Sequence, residues 1–220
     1  MKTRKIFFTI LMVTLIFSFS MKESISQVTD IDGKNYKNIT IGTQEWMAEN
    51  LNVEHYRNGD PIPQVQDKVE WSKLKTGAWC YYENNSENGK TYGKLYNWYA
   101  INDSRGLAPE GWHIPSDKEW TILSENLGGD SVAGGKLKAT TLWISPNTGA
   151  TNESGFTAYP GGSRDYIGLF NEIERNGYFW SASEFDIGYA WYRALFYDDL
   201  VVHRFHYSKE DGFSVRCVKD

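Results

Sequence analysis

Turn-forming residues interrupt the chain so often from Val28 onward that its apolar segments can form only short strands. Asp32-Gly33 is a hairpin dipeptide, Gly42-Thr43 marks the next turn, and Asp198-Asp199 marks a late one. Short apolar runs between such signals, several of them alternating, are typical of β-strands. The pattern therefore predicts a β-meander at the start of the domain and further strands near its end. The predicted late strands are Phe156–Tyr159, Tyr178–Ser183, Trp191–Tyr197, Val201–Tyr207 and Gly212–Val218.

Two segments between these strands have helical patterns. Apolar residues recur at i, i+3, i+4 and i+7 in Tyr92–Ile101, which predicts a short amphipathic helix. After Pro115, Ser116 and Glu119 form the S-x-x-E pattern of a capping box, and Gly128-Gly129 ends the helix that follows. Strands, one or two helices and then more strands predict an α+β fold with helices packed on an antiparallel sheet.

The first 26 residues have the three parts of a secretory signal. MKTRK is basic, residues 6–20 are apolar, and the small residues Ser24 and Ser26 precede Gln27. The apolar run is shorter than the roughly 18–20 residues that span a membrane. We therefore predict a cleaved signal peptide over 1–26 and a single exported domain over 27–220, with no membrane span after cleavage. Its expected location is the periplasm, the outer surface or the medium.

The charge of the chain excludes a nucleic-acid binder, and its composition is rich in aromatic residues. The formal net charge is −5, and no run of Lys or Arg follows the first five residues, so nothing would neutralise phosphates. The chain contains 9 Trp, 14 Tyr and 11 Phe. Aromatic side chains either dominate cores or form platforms for sugar rings and protein partners.

Two cysteines, Cys80 and Cys217, lie in the predicted mature domain. An even number of cysteines in an exported protein favours one disulfide between them. Two buried free thiols are the alternative, because cysteine is often a small apolar core residue.

Seven segments of the chain, in order, form one recognisable pattern: DIDGKNYKNITIGTQEWMAENL, YGKLYNWYA, GLAPEGWHIPSDKEW, GGKLK, PNTGATNESGFTAYPGGSRD, GYFWSASE and GFSVRCVKD. Together they resemble the Fibrobacter succinogenes major paralogous domain, a family of exported bacterial proteins and lipoproteins. The resemblance covers the chain from about Thr29 to Asp220 and implies no established activity.

Residues 160–164 and 212–216 are more distantly similar to the formylglycine-generating enzyme family. This likeness implies a C-type-lectin-like fold, with small antiparallel sheets, one or two helices and long loops. That enzyme family works through two neighbouring cysteines near its C-terminus, where this chain has only Cys217, so the same chemistry is not expected. Ser145-Pro146-Asn147 also lacks the acidic residue of the calcium-lectin tripeptide.

The sequence predicts no metal site and no cofactor. His203 and His206 lie three apart on a predicted strand and would point to opposite faces. Oxygen ligands for a structural calcium ion could come from Asp198-Asp199, Asp186, Glu153 and the turn at 84–88, which keeps such an ion as an alternative. None of these has the spacing of a calcium-binding loop, so hydrogen bonding within turns is the simpler explanation.

Aromatic residues concentrate in the late strands, where we place the candidate binding site. Alternation puts Trp191, Arg193, Leu195 and Tyr197 on one strand face. We expect a non-catalytic binding or interaction module for a glycan or a cell-envelope protein. The alternatives are a secreted hydrolase or oxidoreductase with a loop-built site, and a structural envelope protein whose aromatic residues are all buried. The candidate ligand-binding residues are Arg164, Trp180, Trp191, Arg193 and Tyr197.

Overall fold

The structure is a computed structural model that describes residues 27–220, so the predicted signal peptide, residues 1–26, lies outside the described residues. The described chain is mixed α and β, with several small antiparallel sheets joined by long loops. The strands are β1 (Gln27–Thr29), β2 (Asn35–Ile41), β3 (Gln44–Met47), β4 (Trp79–Cys80), β5 (Leu95–Tyr96), β6 (Trp112–His113), β7 (Ser163–Arg164), β8 (Phe170–Asn171), β9 (Asn176–Glu184), β10 (Tyr189–Phe196), β11 (His203–Ser208) and β12 (Val218–Lys219). The α-helices are α1 (Lys68–Trp71), α2 (Ser86–Tyr92), α3 (Trp98–Ile101), α4 (Asp117–Asn126) and α5 (Asp130–Leu137).

Two sheets organise the molecule. One has five strands in the order β1-β2-β3-β12-β6, and the other has three in the order β11-β10-β9. The predicted meander is confirmed, with turns at Asp32-Gly33 and Gly42-Thr43 in which both glycines have positive φ. The three late strands β9, β10 and β11 also lie where alternation predicted them. Local turn chemistry thus accounts for these hairpins.

The C-terminal segment, residues 212–219, joins the sheets to one another. Gly212 pairs with Arg164, Phe213 with Tyr96, and Ser214 with Phe179, each as an isolated bridge. Val218 then enters the five-stranded sheet between β3 and β6. The prediction of one continuous strand over 212–218 is therefore wrong, because successive residues pair with different elements. The prediction of a strand over 156–159 is wrong for a similar reason, since only one bridge forms there, between Lys138 and Ala158.

No single helix forms over the predicted range Tyr92–Ile101. The range contains the last residue of α2, then strand β5 and then the short helix α3. Helix α2 ends at Gly93, whose φ is 78°, and β5 and α3 follow. The amide of Tyr96 donates to the carbonyl of Phe213 at 2.9 Å, and the Asn97 side chain accepts from the Ala100 amide. Pairing with a distant strand thus overrides the helical spacing.

Helix α4 begins as predicted. The Ser116 hydroxyl accepts from the Glu119 amide and the Glu119 carboxylate accepts from the Ser116 amide, which completes the capping box. The other oxygen of Glu119 lies 2.7 Å from His113 Nε2, and Asp220 lies 2.7 Å from His113 Nδ1. Burial lowers the pKa of His113, but these two carboxylates outweigh it and raise the pKa above 6.5. The imidazolium thereby links β6, the helix start and the last residue.

Eight of the nine tryptophans are buried in the core, and Trp191 is the exception. Trp46, Trp120, Phe156 and Phe179 pack with ring centroids 4.9 to 6.2 Å apart around helix α4. The expectation that most aromatic residues serve packing is confirmed. Trp191, which is only half-buried, therefore stands out.

Buried cations fasten the long loops to the sheets. Lys138 donates to the carbonyls of Thr148, Phe196 and Asp199, at 3.0, 2.9 and 2.7 Å. Burial lowers the pKa of Lys138 to about 8, while Asp199 and Asp198 act the other way. Arg164 similarly donates to the carbonyls of Val65, Gln66 and Gly168, and Arg216 donates to those of Met47, Phe156 and Thr157. Most of these acceptors lie in loops, where main-chain carbonyl groups need donors that regular structure does not supply.

The predicted disulfide between Cys80 and Cys217 is wrong, because both cysteines are free and buried. Cys80 packs in a cluster with Trp71 and Leu95, whereas Cys217 packs in another with Tyr36 and Met47. Burial raises the pKa of Cys80 to about 12, and it raises the pKa of Cys217 as well. Both thiols act as small apolar core groups.

Replacement of the buried cation by Lys138→Met is expected to destabilise the fold by about 3 kcal/mol or more. The substitution leaves three main-chain carbonyls without their donor, and each unsatisfied buried acceptor costs roughly 1–3 kcal/mol. The free energy of unfolding in urea measures the loss. The matched control is Lys90→Met, because Lys90 is exposed and pairs only with Glu87; it should stay within about 0.5 kcal/mol of the parent. Equal stability of the two variants would contradict the role of Lys138.

His113→Gln is expected to reduce stability at pH 5.5 and to have little effect at high pH. The folded-state pKa is raised, so the stabilisation is fully present below about pH 6.5 and disappears as pH rises through the folded value. His113 is 40% exposed on its side chain, and water screening limits the effect to about 0.5–1 kcal/mol. Urea unfolding at pH 5.5 and 8.5 tests this, and a loss that grows with pH would contradict it.

Candidate functional site

The β9-β10-β11 sheet displays a surface group of aromatic and basic side chains beside its β9–β10 hairpin turn. Antiparallel register sets Trp191 opposite His206 and Arg193 opposite Arg204. Side chains of directly opposed residues project on the same face of a sheet. We call Phe185, Tyr189, Trp191, Arg204 and His206 the hairpin cluster.

The rings of the hairpin cluster contact one another closely. Phe185 and His206 stack with centroids 3.7 Å apart and planes 4° from parallel. Trp191 meets both of these rings edge-on, at 5.1 and 5.4 Å, and the Arg204 guanidinium lies 3.5 Å from its centroid. Tyr189 extends the group with an edge contact to His206. Planar groups on one face thus form a continuous surface.

The cluster is open to solvent. Phe185 and Tyr189 are each 45% exposed, and Ile187 at the tip of the turn between β9 and β10 is 95% exposed. The carboxylate of Asp186 accepts from the amides of Gly188 and Tyr189, which fixes the shape of this tip. Adjoining exposed apolar side chains of this kind mark interaction surfaces more often than scattered ones do.

A charged triad anchors the cluster to helix α4. Asp117, the first residue of α4, accepts from Arg193 at 2.7 Å and from Arg204 at 2.9 Å. Burial would raise the pKa of Asp117, but the hydrogen bonds from Arg204 and Arg193 outweigh it and lower the pKa. Arg193 is buried, whereas Arg204 is exposed. The buried pair therefore holds the sheet to the helix, and Arg204 remains partly available on the surface.

Of the five predicted ligand-binding residues, the structure brings Trp191 and Arg193 together. Trp180 lies in the core, where its indole donates to the carbonyl of Tyr96. Arg164 is buried beneath the loop at 65–66. Tyr197 is half-buried, with Arg175 over its ring. Binding by these residues remains a prediction, and Trp191 alone of the five belongs to the hairpin cluster.

Sequence reasoning missed Phe185, Arg204 and His206 as members of the cluster. His206 and Arg204 could have been found by pairing the two late strands across the turn at Asp198-Asp199. Phe185 could not, because it follows the regular part of β9 and reaches His206 only through the curvature of the turn.

The remaining polar candidates have local roles. His203 contacts Asp199 and Phe196, while His206 lies on the other face of β11, as the strand period predicted. Glu153 pairs with Lys136, and Asp199 accepts from the amide of Val201. Among residues 27–220, no group of three or more His, Cys, Asp or Glu side chains is placed to hold a metal ion.

Three cavities lie away from the hairpin cluster. One of about 280 Å³ is lined by Lys75, Tyr99, Asp103 and Arg105. One of about 340 Å³ is lined by Lys34, Glu49 and Lys90 among others, and a smaller apolar one lies beside Leu107. None of these three contains a residue of the cluster.

The fold and the surface cluster define a small mixed α and β domain that presents aromatic side chains on a hairpin. The family model of the Fibrobacter succinogenes major domain matches residues 39–219, so the chain belongs to this family. The resemblance drawn from the seven sequence segments is thereby confirmed. No curated protein and no solved structure matches the chain significantly. Across residues 27–220, the helices are all too short or too polar to traverse a bilayer.

Arg193→Met is expected to destabilise the protein by about 3 kcal/mol, and Arg204→Met by less than about 1 kcal/mol. Loss of Arg193 leaves Asp117 without its buried partner, and breaking a buried pair costs roughly 3–5 kcal/mol. Arg204 is exposed, where ion pairs contribute little. Thermal and urea unfolding of both variants compares the same substitution at a buried arginine and at an exposed one. A larger loss in Arg204→Met would show that the triad does not anchor the sheet.

Proposed function

We propose that this protein is an exported, non-catalytic binding module whose hairpin cluster binds glycans of a cell surface or cell wall. The observation that carries the proposal is the position of Trp191. It is the one tryptophan outside the core, and it lies among exposed rings beneath an arginine. Export is inferred from the leader-like residues 1–26.

The chemistry of the cluster suits a sugar. Aromatic ring faces and edges pack against the apolar C–H faces of pyranose rings, and polar tips remain available for hydroxyl groups. Arg204 and His206 supply polar groups beside the rings. The open surface favours an extended chain over a small enclosed ligand.

We extend the proposal to a C-type-lectin-like fold. Small antiparallel sheets, two of them with only two strands, and long connecting loops support it. Residues 27–220 contain five α-helices, whereas one or two were expected for this fold. Two of the five have only four residues. Glycan recognition in this proposal requires no calcium, since it relies on rings and hydrogen bonds.

Two alternative functions have less support. A purely structural envelope protein would bury its aromatic residues, yet Phe185 and Tyr189 are each 45% exposed. A hydrolase would recess its reacting carboxylates from water, whereas the Asp117 carboxylate beside the cluster is already engaged by two arginines. A protein of the cell envelope remains a partner that the same surface could serve.

Phe185→Ala is expected to weaken glycan binding about tenfold, while Phe205→Ala leaves it unchanged. The two phenylalanines are 45% and 43% exposed on opposite faces of the same sheet, so the substitutions are closely matched. Loss of one ring contact of roughly 1–1.5 kcal/mol corresponds to the tenfold change. The measurement is the tryptophan fluorescence of the purified protein, titrated with a polysaccharide panel in calcium and then in chelator.

A saturable shift that depends on Phe185 and persists in chelator supports the proposal. Equal weakening by Phe205→Ala, or no binding to any polysaccharide by fluorescence and pull-down, contradicts it. Loss of binding in chelator would contradict the calcium-free mechanism.

A further inference from the structure

The face of the hairpin sheet opposite the hairpin cluster covers a buried carboxyl group that has no counter-charge. Asp211 is 1% exposed, and neither carboxylate oxygen accepts a hydrogen bond of normal geometry from the described residues, although the Tyr166 amide is near enough to lower the pKa of this carboxyl. By contrast, the buried ionic groups Lys138, Arg164 and Arg216 in the described part of the chain each donate several hydrogen bonds. A buried polar group without partners is costly and calls for an explanation.

Backbone pairing determines what surrounds Asp211. Gly212 and Arg164 exchange two main-chain hydrogen bonds, at 2.7 and 3.0 Å, which sets Asp211 across from Asp165. The side chain of Arg164 does not neutralise either acid, because it donates to the carbonyls of Val65, Gln66 and Gly168. Asp165 accepts from the amides of its own turn. The neighbourhood is therefore negative, with no basic group directed into it.

Tyrosine side chains lie within electrostatic range of this negative site. Tyr192 from β10 and Tyr207 from β11 both interact electrostatically with Asp211, and Tyr207 also interacts with Tyr166 and Asp165. Tyr166 is 50% exposed and Tyr207 is 45% exposed, so two of the rings stand at the surface.

We propose that Asp211 and the rings of Tyr166, Tyr192 and Tyr207 form a binding site for an alkylammonium group. An ammonium ion would supply the missing positive charge to the carboxylate, and the ring faces would attract the cation by its interaction with their π electrons. A divalent metal fits less well, because Asp165 is engaged by its own turn and no third acid converges there.

The titration of Asp211 provides a signature of this site. Burial raises its pKa to about 8, the Tyr166 amide acts the other way, and the charges of Asp165 and Glu210 raise it further. The pKa values of Tyr192 and Tyr207 are also raised, so both stay neutral at pH 7–9. Because a cation binds the ionised carboxylate, a permanently charged ligand should bind about tenfold more tightly at pH 9 than at pH 7.

The probe is tetramethylammonium chloride, whose charge does not change with pH, observed by ligand-detected NMR on the purified protein. tert-Butanol, which is similar in size and neutral, should not bind. Asp211→Asn is expected to abolish binding and its pH dependence. The charge-matched control Asp198→Asn removes an exposed acid at a distant turn and should bind as the parent does.

Two further variants keep the test decisive if Asp211→Asn does not fold. Tyr207→Leu and Tyr166→Leu change exposed side chains, and each is expected to weaken binding about tenfold. Absence of tetramethylammonium binding at pH 9 overturns the proposal. Equal binding by the parent and Asp211→Asn, or unchanged binding in both tyrosine variants, also overturns it.

Two sources could provide such an ammonium group, an amino sugar or a lysine side chain. Glucosamine oligosaccharides and a single-lysine peptide, each compared with its N-acetylated form, distinguish them. Binding of either amine, but not of its acetylated form, supports the site. Phe185→Ala should leave tetramethylammonium binding unchanged, so failure of this proposal and failure of the hairpin-cluster proposal give different results.

Discussion

Hydrogen bonds from buried cations to main-chain carbonyls hold this fold together. Long loops connect the small sheets, and their carbonyl groups need donors that regular structure does not supply. Lys138, Arg164 and Arg216 each donate to two or more carbonyls, and each lies over an aromatic ring. Carbonyl dipoles and ring faces offset part of the cost of burying the charge. The many aromatic residues of the chain therefore help to accommodate its buried cations.

This arrangement leaves the β9-β10-β11 sheet free to present different chemistry on its two faces. One face carries the hairpin cluster, in which Trp191 contacts Arg204 and the Arg193–Asp117 pair fastens the sheet to helix α4. The other face packs aromatic rings over the core, and its Tyr192 lies within electrostatic range of Asp211. A rigid sheet is a suitable platform for both surfaces, because a binding surface built on strands holds its side chains more precisely than a mobile loop does.

Sequence patterns predicted local structure correctly where the stabilising hydrogen-bond partners lie only a few residues apart in the chain. The capping box at Ser116 and the turn at Asp32-Gly33 satisfy their own hydrogen bonds, so their structure is local. The helical spacing over 92–101 failed because Tyr96 pairs with Phe213 instead. The expected disulfide failed because Cys80 and Cys217 are directed into separate clusters by long-range packing.

The sequence by itself determined the family, the mixed α and β class, the start of helix α4 and the alternation of faces along β10. Its family-like segments also contain Lys138, Arg164 and Arg216, although nothing local reveals that these side chains are buried. Tertiary structure alone decided that Trp191 is the surface tryptophan and that Asp211 lacks a counter-charge. Exposure and charge pairing depend on which distant segments cover each face, and no short-range pattern contains that information.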